Sequence, residues 1–226
     1  MRILTLRLLS KDPKVLCDFY AQMAGLTASY ERDRCTLHCA HSQLIFEPSP
    51  SALPYHFAFN IAPAHLQAAL SWVQSFAEPL PDSDTGEPIV QFPAWNAEAI
   101  YFLDPQNNVV ELIARKNLPW AVSEDFDPRR DLHGISEIGT VLSDISEAFQ
   151  ALHEKAGIMR YSGDFERFCA AGSEEGLFIL VPPNRNWFPT NNPSQSAPYK
   201  LIAERNKRRF EVHFDGNELE VHPDRA

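Results

Sequence analysis

The feature that most limits what this chain can fold into is an internal repeat. From Asp12 to Gly25 and from Asp144 to Gly157 the spacing is the same, thirteen residues. Each span follows a β-rich run, Thr5-Leu-Arg-Leu-Leu-Ser-Lys in one copy and Glu137-Ile-Gly-Thr-Val-Leu-Ser in the other. Such self-similarity fixes the unit of folding before any motif is weighed. Asp12 followed by Pro13 is a helix N-cap with proline at the first helical position, and Asp144-Ile-Ser-Glu147 is a capping box. Apolar residues then recur at helical spacing, Leu16, Phe19, Tyr20 and Met23 in the first copy and Ala148, Phe149 and Leu152 in the second. Gly25 and Gly157 suit the left-handed residue that stops a helix.

Short strands are expected after each helix, over 28–31, 34–38 and 43–46, and over 159–161, 167–170 and 177–181. The unit is therefore β-α-β-β-β. A third copy lies between them, with a strand over 55–61, a helix over 63–76, a Pro-rich loop over 78–88, and strands over 89–92, 99–103 and 109–114. Residues 124–131, charged and carrying Pro128, read as a connection. After the polar loop 184–198, strands are expected over 199–204, 209–214 and 218–222 with no helix between them, a degenerate fourth module. The expected fold is α+β, tandem β-α-β-β-β modules forming curved mixed sheets. Residues 1–118 would hold modules one and two, paired as a cup, and 132–226 the third module with its β-rich tail.

A chain of 226 residues that is 44% hydrophobic can bury a real core, and its net charge of −10 provides no global field for nucleic acid or anionic lipid. No apolar run approaches the roughly 20 residues that span a bilayer. The opening run is interrupted by Arg7 and no small-residue cleavage pattern follows, so the expectation is a cytoplasmic protein without a signal peptide. Four cysteines suit reduced thiols, with Cys17 and Cys169 as small hydrophobes. The cluster Cys35, His38, Cys39 and His41 does not suit one metal ion, because a strand turns Cys35 and Cys39 to one face and His38 to the other. Phosphate-cradling glycine loops, dinucleotide fingerprints and nucleophile elbows are missing, so no nucleotide cofactor is expected.

Tyr101-Phe-Leu-Asp104-Pro-Gln-Asn107-Asn-Val-Val-Glu111 resembles the closing segment of a module of the vicinal oxygen chelate superfamily, which includes glyoxalases, extradiol dioxygenases and bleomycin-resistance proteins. The pattern there is aromatic-x-Asp-Pro-x-Gly-Asn-x-x-Glu, and Asn107 replaces the glycine in a turn where asparagine also visits the left-handed region. The resemblance implies paired modules enclosing a cup, with one metal ligand on a first strand, seven residues before the helix cap, and another as the closing glutamate. That assigns His56 and Glu111 in module two and Glu137 in module three, whose closing position falls at Ile179 or Leu180. In module one the same place holds Thr5, a poor ligand. Glu47, at the end of that module's last strand, is then the third ligand with His56 and Glu111, for iron, manganese, zinc or nickel. Glu47 or Glu137 would serve as base.

Thr5, Arg7, Asn60 and Tyr101 are the expected substrate contacts, with Trp187 from the 184–198 loop. Arg7 either holds an anionic substrate group or pairs with Glu47 or Glu111. Trp187 either closes a lid or staples its loop to the core. The resemblance implies a metal-dependent lyase or dioxygenase acting on a small oxygenated substrate, in a chain that could form a homodimer. The alternative is a metal-free small-molecule binding protein like the bleomycin-resistance branch, which Thr5 favours.

Overall fold

The computed structural model describes residues 1–224, apart from the side chain of Met23. Module one consists of β1 (Arg2–Ser10), α1 (Pro13–Asp18), β2 (Thr27–Glu31), β3 (Arg34–Cys39) and β4 (Ser42–Pro48). Module two has β5 (His56–Ile61), α2 (Leu66–Gln74), the short strands β6 (Pro79–Leu80) and β7 (Val90–Phe92), then β8 (Ala97–Leu103) and β9 (Val109–Arg115). One helical turn, α3 (Pro128–Asp131), leads into module three: β10 (Leu132–Val141), α4 (Ile145–Ala156), β11 (Arg160–Gly163), β12 (Cys169–Ser173) and β13 (Gly176–Val181). The tail is a meander of β14 (Tyr199–Arg205), β15 (Arg208–Phe214) and β16 (Leu219–Pro223).

The helix signals act as the sequence predicts. The Asp12 carboxylate accepts from the Lys14 and Val15 amides, Asp144 accepts from the Glu147 amide, and Gly157 ends α4 at φ +66°. Each helix is the crossover that lets a module's first strand lie parallel to its last, as β1 lies to β4, β5 to β9 and β10 to β13. In the β8–β9 turn, Asn107 takes the left-handed conformation at φ +62°. Asp104 holds that turn by accepting from the Gln106 and Asn108 amides and from the Tyr20 hydroxyl across the module boundary.

All sixteen strands join in one hydrogen-bonded sheet, and here the pairing differs from the expected one. β5 lies antiparallel to β10, with Glu137 opposite Ala58 and Ile138 opposite Phe57, while β1 lies antiparallel to β14 along most of its length. β1 is hydrogen-bonded to β10 at the Ile3–Ile135 pair. The cup is thus built from modules two and three, and module one pairs with the tail. Burial supplies the reason: β5 is buried at every position and β10 at all but His133, so each requires cover on both faces. β1 alternates buried with half-buried residues, carrying Thr5 and Arg7 on its open face, and suits the polar tail.

Alternation along β5 divides the interior in two. Phe57, Phe59 and Ile61 join the main core beneath the helices, with Leu16, Tyr20, Leu70, Val73 and Leu152. Ala58 belongs to a second apolar cluster inside the cup, with Tyr101, Ile113, Val141, Ile179 and Trp187. His56 and Asn60 share the parity of Ala58. Among the described residues no helix is long and apolar enough to cross a membrane.

Candidate metal centre

Three ionisable side chains meet inside the cup: His56 at the start of β5, Glu111 in β9 and Glu137 in β10, each at least 94% buried. His56 Nδ1–H donates to the Val109 carbonyl at 3.1 Å, which fixes the tautomer and leaves Nε2 with a free lone pair. That lone pair stands 3.5 Å from a Glu111 oxygen and 4.0 Å from a Glu137 oxygen. One donor atom from each of the three residues fits within a 4.8 Å span. Two donors each about 2.1 Å from one ion lie at most about 4.2 Å apart, so both histidine–carboxylate distances fit a shared cation. A bare lone pair facing two carboxylates is repulsive unless a cation or protons intervene. The donor set therefore fits a divalent ion of the imidazole and carboxylate class: iron, manganese, zinc or nickel.

The electrostatics agree. Burial lowers His56 to about 4, a neutral ligand at physiological pH. Burial, reinforced by the Glu137 charge, raises Glu111 well above the usual carboxylate range. Burial also raises Glu137, opposed by Arg115. Arg115, at the end of β9, is fully buried; its Nη2 donates to Glu137 Oε1, its Nη1 to the Ser136 hydroxyl at 2.9 Å, and its guanidinium lies over the Trp95 ring. One oxygen of Glu137 is thereby committed, and the other is left facing His56.

Above these groups is a pocket of about 340 Å³ walled by Phe92, Trp95, Tyr101, Phe168, Trp187 and Phe188, with Arg185 at its mouth. Tyr101 is directly opposite Glu111 across the β8–β9 ladder, and its ring stacks beside His56. Trp187 packs 5.1 Å from the His56 ring, and it fits because residue 139 is glycine: a Cβ there would stand 2.5 Å from the indole. The Arg185 guanidinium lies over Phe168, and no carboxylate pairs with it among the described residues.

The structure brings together five of the residues named from sequence: His56, Glu111, Glu137, Tyr101 and Trp187. It does not bring Glu47 to them. Glu47 belongs to the second cup, where its carboxylate pairs with Arg7 at 3.2 Å and Arg34 at 3.3 Å, and the second carboxylate beside His56 is that of Glu137. Arg7 is in that second cup as well, in the ion-pair role, and Thr5 lies opposite Gln43 and Ile202 on the same strand. Asn60 has the right parity, but it is a structural strap whose Nδ2 donates to the Glu175 carbonyl at 3.2 Å. Sequence reasoning missed Arg115, Arg185 and most of the aromatic wall. Alternation from Glu111 through Ile113 would have put Arg115 on the same face, had the strand been carried one residue further.

No family model matches the sequence, and neither does any curated protein. Solved structures do match. A "putative dioxygenase" from Bacillus subtilis superposes with a TM-score of 0.61 at 14% identity, over 99% of this chain and 84% of that one. Glyoxalase I from Zea mays superposes with a TM-score of 0.54 at 11% identity, over 99% of this chain and 92% of that one. Both alignments run through the three modules and the tail, and with the paired modules seen here they establish that this chain has the α+β fold of those two structures.

Proposed function

We propose that this protein is a metal-dependent enzyme of the glyoxalase and dioxygenase type, acting on a small planar oxygenated substrate in the cup between modules two and three. The observation that carries this reading is the unprotonated Nε2 of His56, buried and facing Glu111 and Glu137 at distances one ion can share. A divalent ion held by His56, Glu111 and Glu137 would supply Lewis-acid polarisation of two neighbouring substrate oxygens. Ile179 stands where a fourth protein ligand would come from β13, which leaves coordination positions for substrate.

The chain's own side chains do the rest. Trp187, Phe188, Phe92 and Phe168 stack against a flat substrate and exclude water from the reacting oxygens. Arg185 offers a guanidinium to an anionic substituent at the mouth. Arg115 holds Glu137 in one orientation, and Tyr101 covers Glu111 from the position directly opposite it on β8. The fold shared with a glyoxalase I supports the class of chemistry, and a shared fold alone does not choose the reaction.

The test is metal content by inductively coupled plasma mass spectrometry on untagged protein, for wild type, His56→Ala, Glu137→Gln and Glu47→Gln. Wild type and Glu47→Gln are expected to hold equal metal, and His56→Ala and Glu137→Gln about one equivalent less. If wild type and His56→Ala take up iron, manganese, zinc and nickel to the same level after incubation with each, the enzyme reading fails and the aromatic pocket is a metal-free binding cup.

A further inference from the structure

The second cup, between module one and the tail, has an unusual floor. On the β15–β16 hairpin His213 is directly opposite Glu220, and Glu211 directly opposite His222. The four side chains form a two-by-two block on one face, with histidines on one diagonal and carboxylates on the other. The opposite face of the same strands carries Phe210, Val212, Phe214, Leu219 and Val221, all buried in the main core. A register slip of one residue would expose those five, so the pairing that assembles the block is locked by the core beneath it.

Donor atoms of His213, Glu220 and His222 lie within 4.8 Å of one another. The imidazole rings are 5.0 Å apart, Glu220 is 3.1 Å from His222 Nε2, and Glu211 is 3.4 Å from His213 Nε2. Two imidazoles and two carboxylates make the mixed nitrogen and oxygen donor set that one divalent ion takes. Lys200, opposite His213 on β14, is the nearest cross-strand cation, and Arg7 across the same pocket is already engaged by Glu47.

We propose that the β15–β16 hairpin is a second, solvent-accessible metal site, with His213, Glu220 and His222 as ligands and Glu211 within reach as a fourth. Imidazole and carboxylate donors in these numbers select zinc, nickel or copper over magnesium or calcium, which take oxygen alone. The site lies on strands that contribute nothing to the His56 centre, so the two are loaded independently. His213 and Glu220 also line the roughly 480 Å³ pocket of the second cup, which places the ion at an open cavity rather than in a sealed core.

The test is zinc titration of the full-length chain by isothermal calorimetry at pH 7.5, comparing wild type, His213→Ala/His222→Ala, and His56→Ala. The exposed histidines can be replaced without touching the core, so the double variant keeps wild-type circular dichroism and melting. The expected result is one zinc site fewer in the double variant, its affinity down at least about 100-fold, the upper end of what losing a mere outer-shell partner costs. The His213 and His222 ring resonances shift with zinc in wild type and in His56→Ala alike. Equal zinc stoichiometry and affinity in wild type and the double variant would overturn the proposal, as would binding of wild type at this site only above millimolar zinc. In either case the four side chains form solvated ion pairs. Loss of zinc from His56→Ala alone bears on the first cup and leaves the hairpin site standing.

Discussion

Replacing Arg115 with methionine removes the guanidinium that pairs with Glu137 and, among the described residues, leaves that carboxylate buried beside Glu111 without a cation. Arg115 has no exposed surface and the Glu137 side chain is 3% exposed, so water screens neither. Breaking a buried pair by deleting one partner costs about 3–5 kcal/mol, because the remaining charge is uncompensated. With an urea m-value of roughly 2–3 kcal/mol/M, suited to a chain of this size, the metal-free variant unfolds at a midpoint about 1–2.5 M lower. Three further results separate this from simple loss of packing. Arg115→Met/Glu137→Leu recovers most of the deficit, since replacing both partners by apolar groups is close to neutral. The deficit shrinks as pH falls, because Glu137, raised by burial and no longer opposed by Arg115, takes up a proton. Saturating zinc or ferrous ion also shrinks it, because a cation replaces the lost charge; by linkage the variant then binds metal more tightly than wild type. A single variant within 1 kcal/mol of wild type, or a double variant no more stable than the single, would refute the reasoning.

Other positions give shorter tests. Burial alone would raise the Asp131 carboxylate, but hydrogen bonds from the Arg130 guanidinium, the Asp127 amide and the Ser123 hydroxyl hold it at about 2. Its stabilising effect is complete above its unfolded value near 4 and is lost as pH falls toward 2, so Asp131→Asn costs about 2 kcal/mol at pH 7 and flattens acid unfolding between pH 4 and 2. Gly139→Ala puts a Cβ into the Trp187 indole, and the expected outcome is a red-shifted tryptophan emission with a loss of about 1–3 kcal/mol in thermal melts, although alanine is the better strand residue. Chelation of metal-loaded protein lowers its melting temperature, by the equivalent of about 2.7 kcal/mol for a site whose metal starts 100-fold above Kd, and the drop is smaller in His56→Ala, which lacks the first-cup site.

The fold was legible because its signals are local. Asp12, Asp144, Gly157 and Asn107 act through contacts within a few residues of themselves, and each takes the cap or left-handed role its chemistry demands. The choice of module partner is not local. β1, β5 and β10 all begin modules, and the repeat says nothing about which two of them pair. Burial on both faces decided it, and the sequence carries that as His-Phe-Ala-Phe-Asn-Ile in β5 against Thr-Leu-Arg-Leu in β1.

The error at Glu47 follows from that one choice. Paired modules place their first strands antiparallel, so each cup draws its donors from two first strands and their parallel partners. Module two brings His56 and Glu111, module three brings Glu137 from its first strand and Ile179 from its last, and module one brings Thr5. The register of His56 with Val109 puts Glu111 two residues beyond, and the same step from Gln43, the partner of Thr5, arrives at Ile45, with Glu47 two residues too far. Counting donors by register therefore gives three for modules two and three, and only the original two for modules one and two. The pairing that brings His56, Glu111 and Glu137 together is the pairing the buried strands adopt. Module one, without a first-strand ligand, is left to a tail whose own histidines lie on a different pair of strands.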